Sequence, residues 1–205
     1  MSFATRFACA LIPAAIVVAP VAAPASTSDM ALVREHLQKV DSMTARFVQT
    51  DAKGRSLSGN LQLKRPGRIR FEYGQGVNVL LVADGRKLTF VDYEVGQKSS
   101  WDLNKTPLGI LLSAKPDLDR IARIQNSEDP RVVVVRARDP ARNEYGTLIL
   151  AFLRESNAPG GLRLYGWTAV DAQGKRTTVK LSNQRYNVAV PASAFTYPEP
   201  KKRGR

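Results

Sequence analysis

One histidine, His36, and one cysteine, Cys9, are all that this sequence offers of the two residue types most used as soft metal ligands, bases and thiol nucleophiles. A transition-metal site of N and S ligands cannot be assembled from them. His36 stands next to Glu35 and beside an apolar stripe, the setting of a surface or boundary residue rather than of a general base. Ser113 and Ser156 have no base near them in sequence. Asp92, Glu94, Asp102, Asp117 and Asp119 fall at turns and strand edges, where carboxylates are ordinarily solvated. Gly74-Gln75-Gly76 leads into a strand, and no Lys-Ser/Thr pair follows it, so a phosphate loop is missing as well. The expectation is a protein that is not an enzyme and has no cofactor and no metal.

Acidic residues are also scarce. Eighteen Asp and Glu face thirty-one Lys and Arg, giving +13 and a sequence pI near 10.2. Such a balance favours anionic partners, nucleic acid or a membrane surface. Nucleic acid is not expected: by strand alternation Arg68 and Arg70 point away from Ile69, Phe71 and Tyr73, so no stacking face is built beside phosphate contacts. Transient contact with an anionic membrane surface is expected instead. The run Lys201-Lys202-Arg203-Gly204-Arg205 reads as a solvated end.

Only one stretch is continuously apolar. Arg6 precedes a charge-free run from Phe7 to Val21, which holds Pro13 and Pro20 and gives way to Ala23-Pro24-Ala25. That is the pattern of a secretory signal peptide, not of a lasting anchor. Residues 1–25 are therefore assigned to the signal, with cleavage after Ala25 or, alternatively, after Ala23, and residues 26–205 to one exported domain. Cys9 lies in the removed segment, too early to be a lipidated cysteine.

The remainder is rich in alternation. Ser28 can cap a helix over Asp29–Val40, with Met30, Val33, Leu37 and Val40 on one stripe. From Thr44 the period becomes two. Strands are read at Thr44–Asp51, Ser56–Lys64, Arg68–Tyr73, Val77–Asp84, Lys87–Tyr93, Gln97–Leu103, Ile121–Asn126, Arg131–Arg138, Tyr145–Leu153, Leu162–Val170 and Arg176–Ser182. Eleven strands joined by short Gly-rich turns make an antiparallel meander. It is interrupted once, where Thr106 and Pro107 open a helical turn carrying Leu108, Leu111 and Leu112. Val79-Leu80-Leu81-Val82, Val132-Val133-Val134-Val135 and Leu148-Ile149-Leu150 are apolar on both faces and need cover on each. The two helices are the covers expected, over a highly curved sheet or a tight sandwich. The coil from Asn187, with Pro191, Pro198 and Pro200, closes the domain or trails from it.

If one face is followed through the meander, Phe47, Leu61, Leu63, Ile69, Phe71, Val79, Leu81, Leu88, Phe90 and Trp101 share it. Each alone reads as core; together they read as the wall of a cavity for an apolar ligand.

The order of short motifs resembles a known family. Phe47-Val48-Gln49, Gly59-Asn60-Leu61, Arg65-Pro66-Gly67 with Ile69-Arg70-Phe71, Asp84-Gly85, Asp92-Tyr93 with Gln97, and Thr106-Pro107 before Leu111-Leu112 are similar to the periplasmic outer-membrane lipoprotein carriers of LolA type. The resemblance implies a mainly β, α+β fold: an incomplete, highly curved antiparallel β-barrel of about eleven strands under a helical lid. It implies a monomeric periplasmic chaperone that receives the acyl chains of lipoproteins from an inner-membrane lipoprotein-releasing ABC transporter and passes the acylated cargo to an outer-membrane lipoprotein receptor. It also implies that Arg65 matches the arginine whose hydrogen bonds latch the lid formed at Pro107, Leu108, Leu111 and Leu112. An exported β-domain of the same fold that binds another lipid, or senses envelope signals through protein partners, is the alternative.

Overall fold

Helix α1, Ala25–Lys39, precedes eleven strands and two short helices in the computed structural model, which describes residues 25–201. The expected signal segment up to Pro24, with Cys9, and the basic tail beyond Lys201 lie outside the described residues. The helix starts ahead of the expected cap at Ser28, because nothing between Ala25 and Ser28 is a helix breaker. Its stripe falls as the spacing predicts: Val33, Leu37 and Val40 are buried and Met30 packs against the same cluster. His36, expected near the surface, is also buried, since the turn at 159–161 closes over it.

The strands are β1 Ser42–Thr50, β2 Ser56–Lys64, β3 Arg68–Tyr73, β4 Val79–Asp84, β5 Lys87–Asp92, β6 Gln97–Asp102, β7 Ala122–Gln125, β8 Val132–Ala137, β9 Thr147–Arg154, β10 Leu162–Val170 and β11 Arg176–Tyr186. They form one antiparallel sheet in the order β6-β5-β4-β3-β2-β1-β11-β10-β9-β8-β7. The longest loop of the topology is closed by β1, which pairs with β11 from Thr50↔Thr178 to Met43↔Tyr186. That pairing carries β11 four residues past the expected end at Ser182. Helix α2, Pro107–Leu112, and helix α3, Leu118–Ile121, lie between β6 and β7.

The sheet is curled but open. Phe71 on β3 and Trp167 on β10 stand edge to face with ring centroids 6.1 Å apart. Four strand steps separate them, about 19 Å in a flat sheet at the usual inter-strand spacing. Contact at 6.1 Å therefore identifies this face as the concave one. Among the described residues the edges β6 and β7 pair neither with each other nor with a further strand, so the barrel is incomplete.

Cover lies on both faces of the first half, but the helices do not supply all of it and it does not extend over β6. On the concave side, residues of α1 and α2 join those of β1–β3 and β8–β11 in one core. On the convex side, Leu80, Val82 and Val91 pack against Val190 and Phe195 of the C-terminal segment, with Val188, Ala194 and Tyr197 at its margin. The coil after Asn187 thus closes the domain and supplies a third cover that the sequence reading lacked. Among the described residues no helix is long and apolar enough to cross a membrane.

Candidate functional site

The register lines up the ten residues read as a wall. Leu63 stands opposite Ile69, Leu61 opposite Phe71 and Phe71 opposite Leu81; Leu81 faces Phe90, and Leu88 faces Trp101. Phe47 joins this face through Gly59 and Tyr73. All therefore point to the concave side, and their burial is graded along it. Phe47, Leu61, Leu63, Ile69 and Phe71 are shut in, Leu88 is buried, Val79, Leu81 and Phe90 are half-buried, and Trp101 is 50% exposed. Phe47 packs edge to face on Phe71 at 5.1 Å and on Tyr73 at 5.2 Å between centroids. The centre of the wall is consequently filled by its own side chains, and the β4–β6 end opens toward solvent, where Trp101 borders a cleft of about 680 Å³.

Two helices seal the filled end. Leu108, Leu111 and Leu112 are buried on the inner side of α2, with Pro107 half-buried at its first turn. Thr106 precedes this turn but does not cap it with its side chain; its hydroxyl instead donates to the Leu103 carbonyl at 2.8 Å. Asp117 does cap α3, accepting from the Arg120 amide at 3.4 Å. A cleft of about 440 Å³ separates α1 from the link between α2 and α3; Leu37, Ala114, Pro116 and Leu118 line it with Arg34, Gln38 and Lys115.

The corner between β2 and β3 holds both helices. The last carbonyls of a helix have no partner within it and carry its negative end. Arg65 Nη1 donates to the Leu37 carbonyl in the last turn of α1 at 2.7 Å, and the Arg65 amide donates to Asp41 just beyond at 2.8 Å. Two residues on, the Gly67 amide donates to the carbonyl of Leu112, the last residue of α2, at 2.9 Å. Three residues therefore join the C-terminal ends of both covering helices. Arg65–Pro66 is a cis peptide, and Gly67 has φ +74 with a would-be Cβ 2.7 Å from the Gly85 Cα, so only glycine fits there.

The bond to α1 is held under tension of charge. Desolvation pulls the Arg65 guanidinium down to about 10, opposed by the charge of Asp41. It remains protonated at neutral pH, and its Nε is enclosed without a partner among the described residues. A largely desolvated cation whose enclosed Nε has no partner is a weaker fastening than a fully satisfied one. Sequence reasoning missed the second anchor of α1. His36 Nδ1 lies 2.8 Å from the Pro159 carbonyl, and its ring meets Phe152 and Tyr186 edge to face. Burial pushes its pKa down, with Arg65 acting in the same direction. The approach is close enough that a Cβ on Gly160 would lie 2.5 Å from the His36 amide nitrogen. The Pro-Gly-Gly run at 159–161 was the available signal.

A family model described as the outer membrane lipoprotein carrier protein LolA matches residues 38–198. The chain belongs to the LolA family. The match spans β1 through the C-terminal cover, and so takes in the corner, α2 and the concave face. Two curated proteins, both named outer-membrane lipoprotein carrier protein, are similar over nearly the whole length. One from Chromobacterium violaceum is 26% identical over 200 residues, covering 93% of each chain. One from Pseudomonas entomophila is 29% identical over 204 residues, covering 93% of this chain and 94% of its own. Among solved structures, a DUF1329 family protein from Desulfovibrio piger superposes with a TM-score of 0.54 at 10% identity. It covers 85% of this chain and 98% of that one, a likeness of fold.

Proposed function

We propose that this LolA-family chain is a periplasmic chaperone that takes the acyl chains of lipoproteins onto its concave face and carries them from the inner to the outer membrane. The mature unit is one domain, residues 26–205, acting as a monomer. The observation that carries the reading is the corner: one three-residue turn fastens the ends of both helices that close a continuous apolar face. The names of the two relatives supply the cargo class.

In this reading the empty carrier is closed on itself. Phe47, Leu61, Leu63, Ile69 and Phe71 occupy one another's space, as an apolar cavity without ligand favours collapse over standing empty. Acyl chains enter by the half-exposed end at Val79, Phe90 and Trp101 and displace α1 and α2 outward, with Leu81 and Leu88 lining the path between. Each methylene that leaves water contributes about 0.8 kcal/mol. Against that gain stand the bonds from Arg65 to α1 and from Gly67 to α2, together with the repacking of Leu108, Leu111 and Leu112; Pro107 marks the hinge end of α2. Because the closed state competes with cargo, the latch lowers affinity and makes delivery possible. Loading is assigned to an inner-membrane lipoprotein-releasing transporter and unloading to an outer-membrane lipoprotein receptor.

Native mass spectrometry of the protein taken from the periplasm tests this directly. The expected mass includes an acylated peptide or protein, and depletion of the carrier strands lipoproteins in the inner membrane. A ligand-free mass together with undisturbed lipoprotein sorting on depletion overturns the proposal.

A further inference from the structure

The sheet is electrically lopsided. Seven consecutive strands, β2-β1-β11-β10-β9-β8-β7, contain no Asp or Glu, yet each carries at least one Arg or Lys. The other four, β3 to β6, each contain one carboxylate. The same seven strands include the part of the convex face that the C-terminal segment does not reach. There Val132, Val134, Ile149 and Leu153 are half-buried and belong to neither apolar cluster of the described residues, unlike Leu80 and Val82, which pack against the C-terminal segment.

At the β7 edge of this bare face the cations converge. Arg123 on β7 stands directly opposite Arg136 on β8. With Arg138, two residues further along the chain, they line a concavity of about 240 Å³, closed by Gln125, Ile121 and Pro140. Arg120 also borders it but is neutralised by Asp139 at 2.6 Å. Arg123, Arg136 and Arg138 make no ion pair among the described residues; Arg123 Nη1 reaches only the Asp119 and Ala122 carbonyls, at 2.8 and 2.7 Å. All three are exposed. Like charges placed directly across a strand pair oppose folding, and a bound anion would remove that opposition.

We propose that the convex surface of β7–β9 is a docking face for an anionic phospholipid membrane, with a lipid phosphate seated among Arg123, Arg136 and Arg138. Guanidinium groups suit a phosphate through paired N–H donors. The neighbouring valines, Ile149 and Leu153 give the face an apolar component that meets the glycerol and upper acyl region, the combination by which proteins lie on a membrane rather than span it. Docked in this way, the carrier rests on its convex side, and the open β4–β6 end at the opposite edge of the sheet stays free. The inference concerns a different surface from the cargo site and stands independently of it.

Co-sedimentation of the mature chain with phosphatidylcholine vesicles, with and without phosphatidylglycerol, is the test. Binding is expected only to vesicles containing phosphatidylglycerol, and weakens with salt. In the variant Arg123→Gln with Arg136→Gln the affinity drops roughly five-fold per arginine removed. A charge-matched variant on the same convex sheet, Arg176→Gln with Lys180→Gln, loses clearly less. Thermal unfolding serves as the folding control, and the Arg123 and Arg136 variant is expected to be no less stable than the parent. Lipopeptide binding measured in parallel is unchanged by it. Three results overturn the proposal: no binding to anionic vesicles, which leaves the face to an acidic protein or to none; equal loss in both variants, which reduces binding to overall charge; and displacement of vesicles by inorganic phosphate at matched phosphate concentration, which makes the concavity a site for a free anion.

Discussion

Two covers lie on opposite faces of one curled sheet, and they are fastened in different ways. The outer cover, the C-terminal segment, is tied along its length. Ser42 Oγ donates to Val188 at 2.5 Å, Lys64 Nζ to Val190 at 2.9 Å, Arg70 Nη1 to Ala194 and Thr196 at 3.3 and 3.2 Å, and Tyr93 to Pro198 at 3.2 Å. Lys98 and Glu199 pair at its end at 2.7 Å. The inner cover meets the Arg65–Gly67 corner at the ends of both helices; α1 is held besides by Asn187, whose Nδ2 donates to the Lys39 carbonyl at 2.9 Å, by His36 against Pro159 and by the pairs Arg34–Asp119 and Arg154–Asp29. The ties of the outer cover run from Val188 to Glu199, whereas a single three-residue corner bonds to the ends of both inner helices. In the proposed function the outer cover is permanent structure and the inner one is the lid.

The sharpest way to break this contrast is to weaken the outer cover. Phe195→Ala removes a buried aromatic and is expected to cost about 3–5 kcal/mol of stability in urea unfolding, with lipopeptide release unchanged. An altered release rate would mean that both covers move. Next in size, Arg65→Leu deletes a charge-assisted bond of about 1.5–3 kcal/mol to α1. It is expected to keep lipopeptide binding and to slow release by roughly ten-fold or more; unaltered release would take the corner out of the mechanism. Acid should loosen the same helix. His36 is held neutral below its ordinary value near 6.5 by burial. The unfolded chain therefore binds a proton that the fold resists, and the stability is complete above about pH 6.5 and declines as pH falls toward the folded value. The melting temperature of the parent should drop through that window more steeply than that of His36→Gln. The smallest effect belongs to Lys98→Ala, whose exposed pair with Glu199 should leave the melting temperature within error; a clear drop would show the outer cover to depend on its last tie.

Much of this architecture was legible because alternation is a strong signal when one face is buried. β2, β3 and β10 begin and end where the pattern of Leu61, Phe71 and Leu164 places them, and the shared face of the ten wall residues follows from counting by twos. The outer cover was not legible. Val188, Val190 and Phe195 sit among prolines with no period, and their burial is determined by Leu80, Val82 and Val91, more than ninety residues away in sequence. The same holds for His36, whose surroundings come from Phe152, Pro159 and Tyr186. The corner was half legible. Arg-Pro-Gly announced a turn between two apolar strands, and the resemblance pointed to the arginine, but the amide of Gly67 bonding to Leu112 is a backbone contact that no side-chain pattern records. The filled centre of the wall was also out of reach, since whether apolar side chains line a space or occupy it depends on how tightly the sheet curls.

The central claim, that the inner cover moves and the outer one does not, is tested most directly by amide hydrogen exchange with and without a bound acylated lipopeptide. Faster exchange is expected on loading at the C-terminal turn of α1, in α2 and at Gly67, with residues 188–199 and their partners on β3–β5 unchanged. Equal exchange in both covers, or protection of α1 and α2 that is indifferent to the lipopeptide, would contradict it.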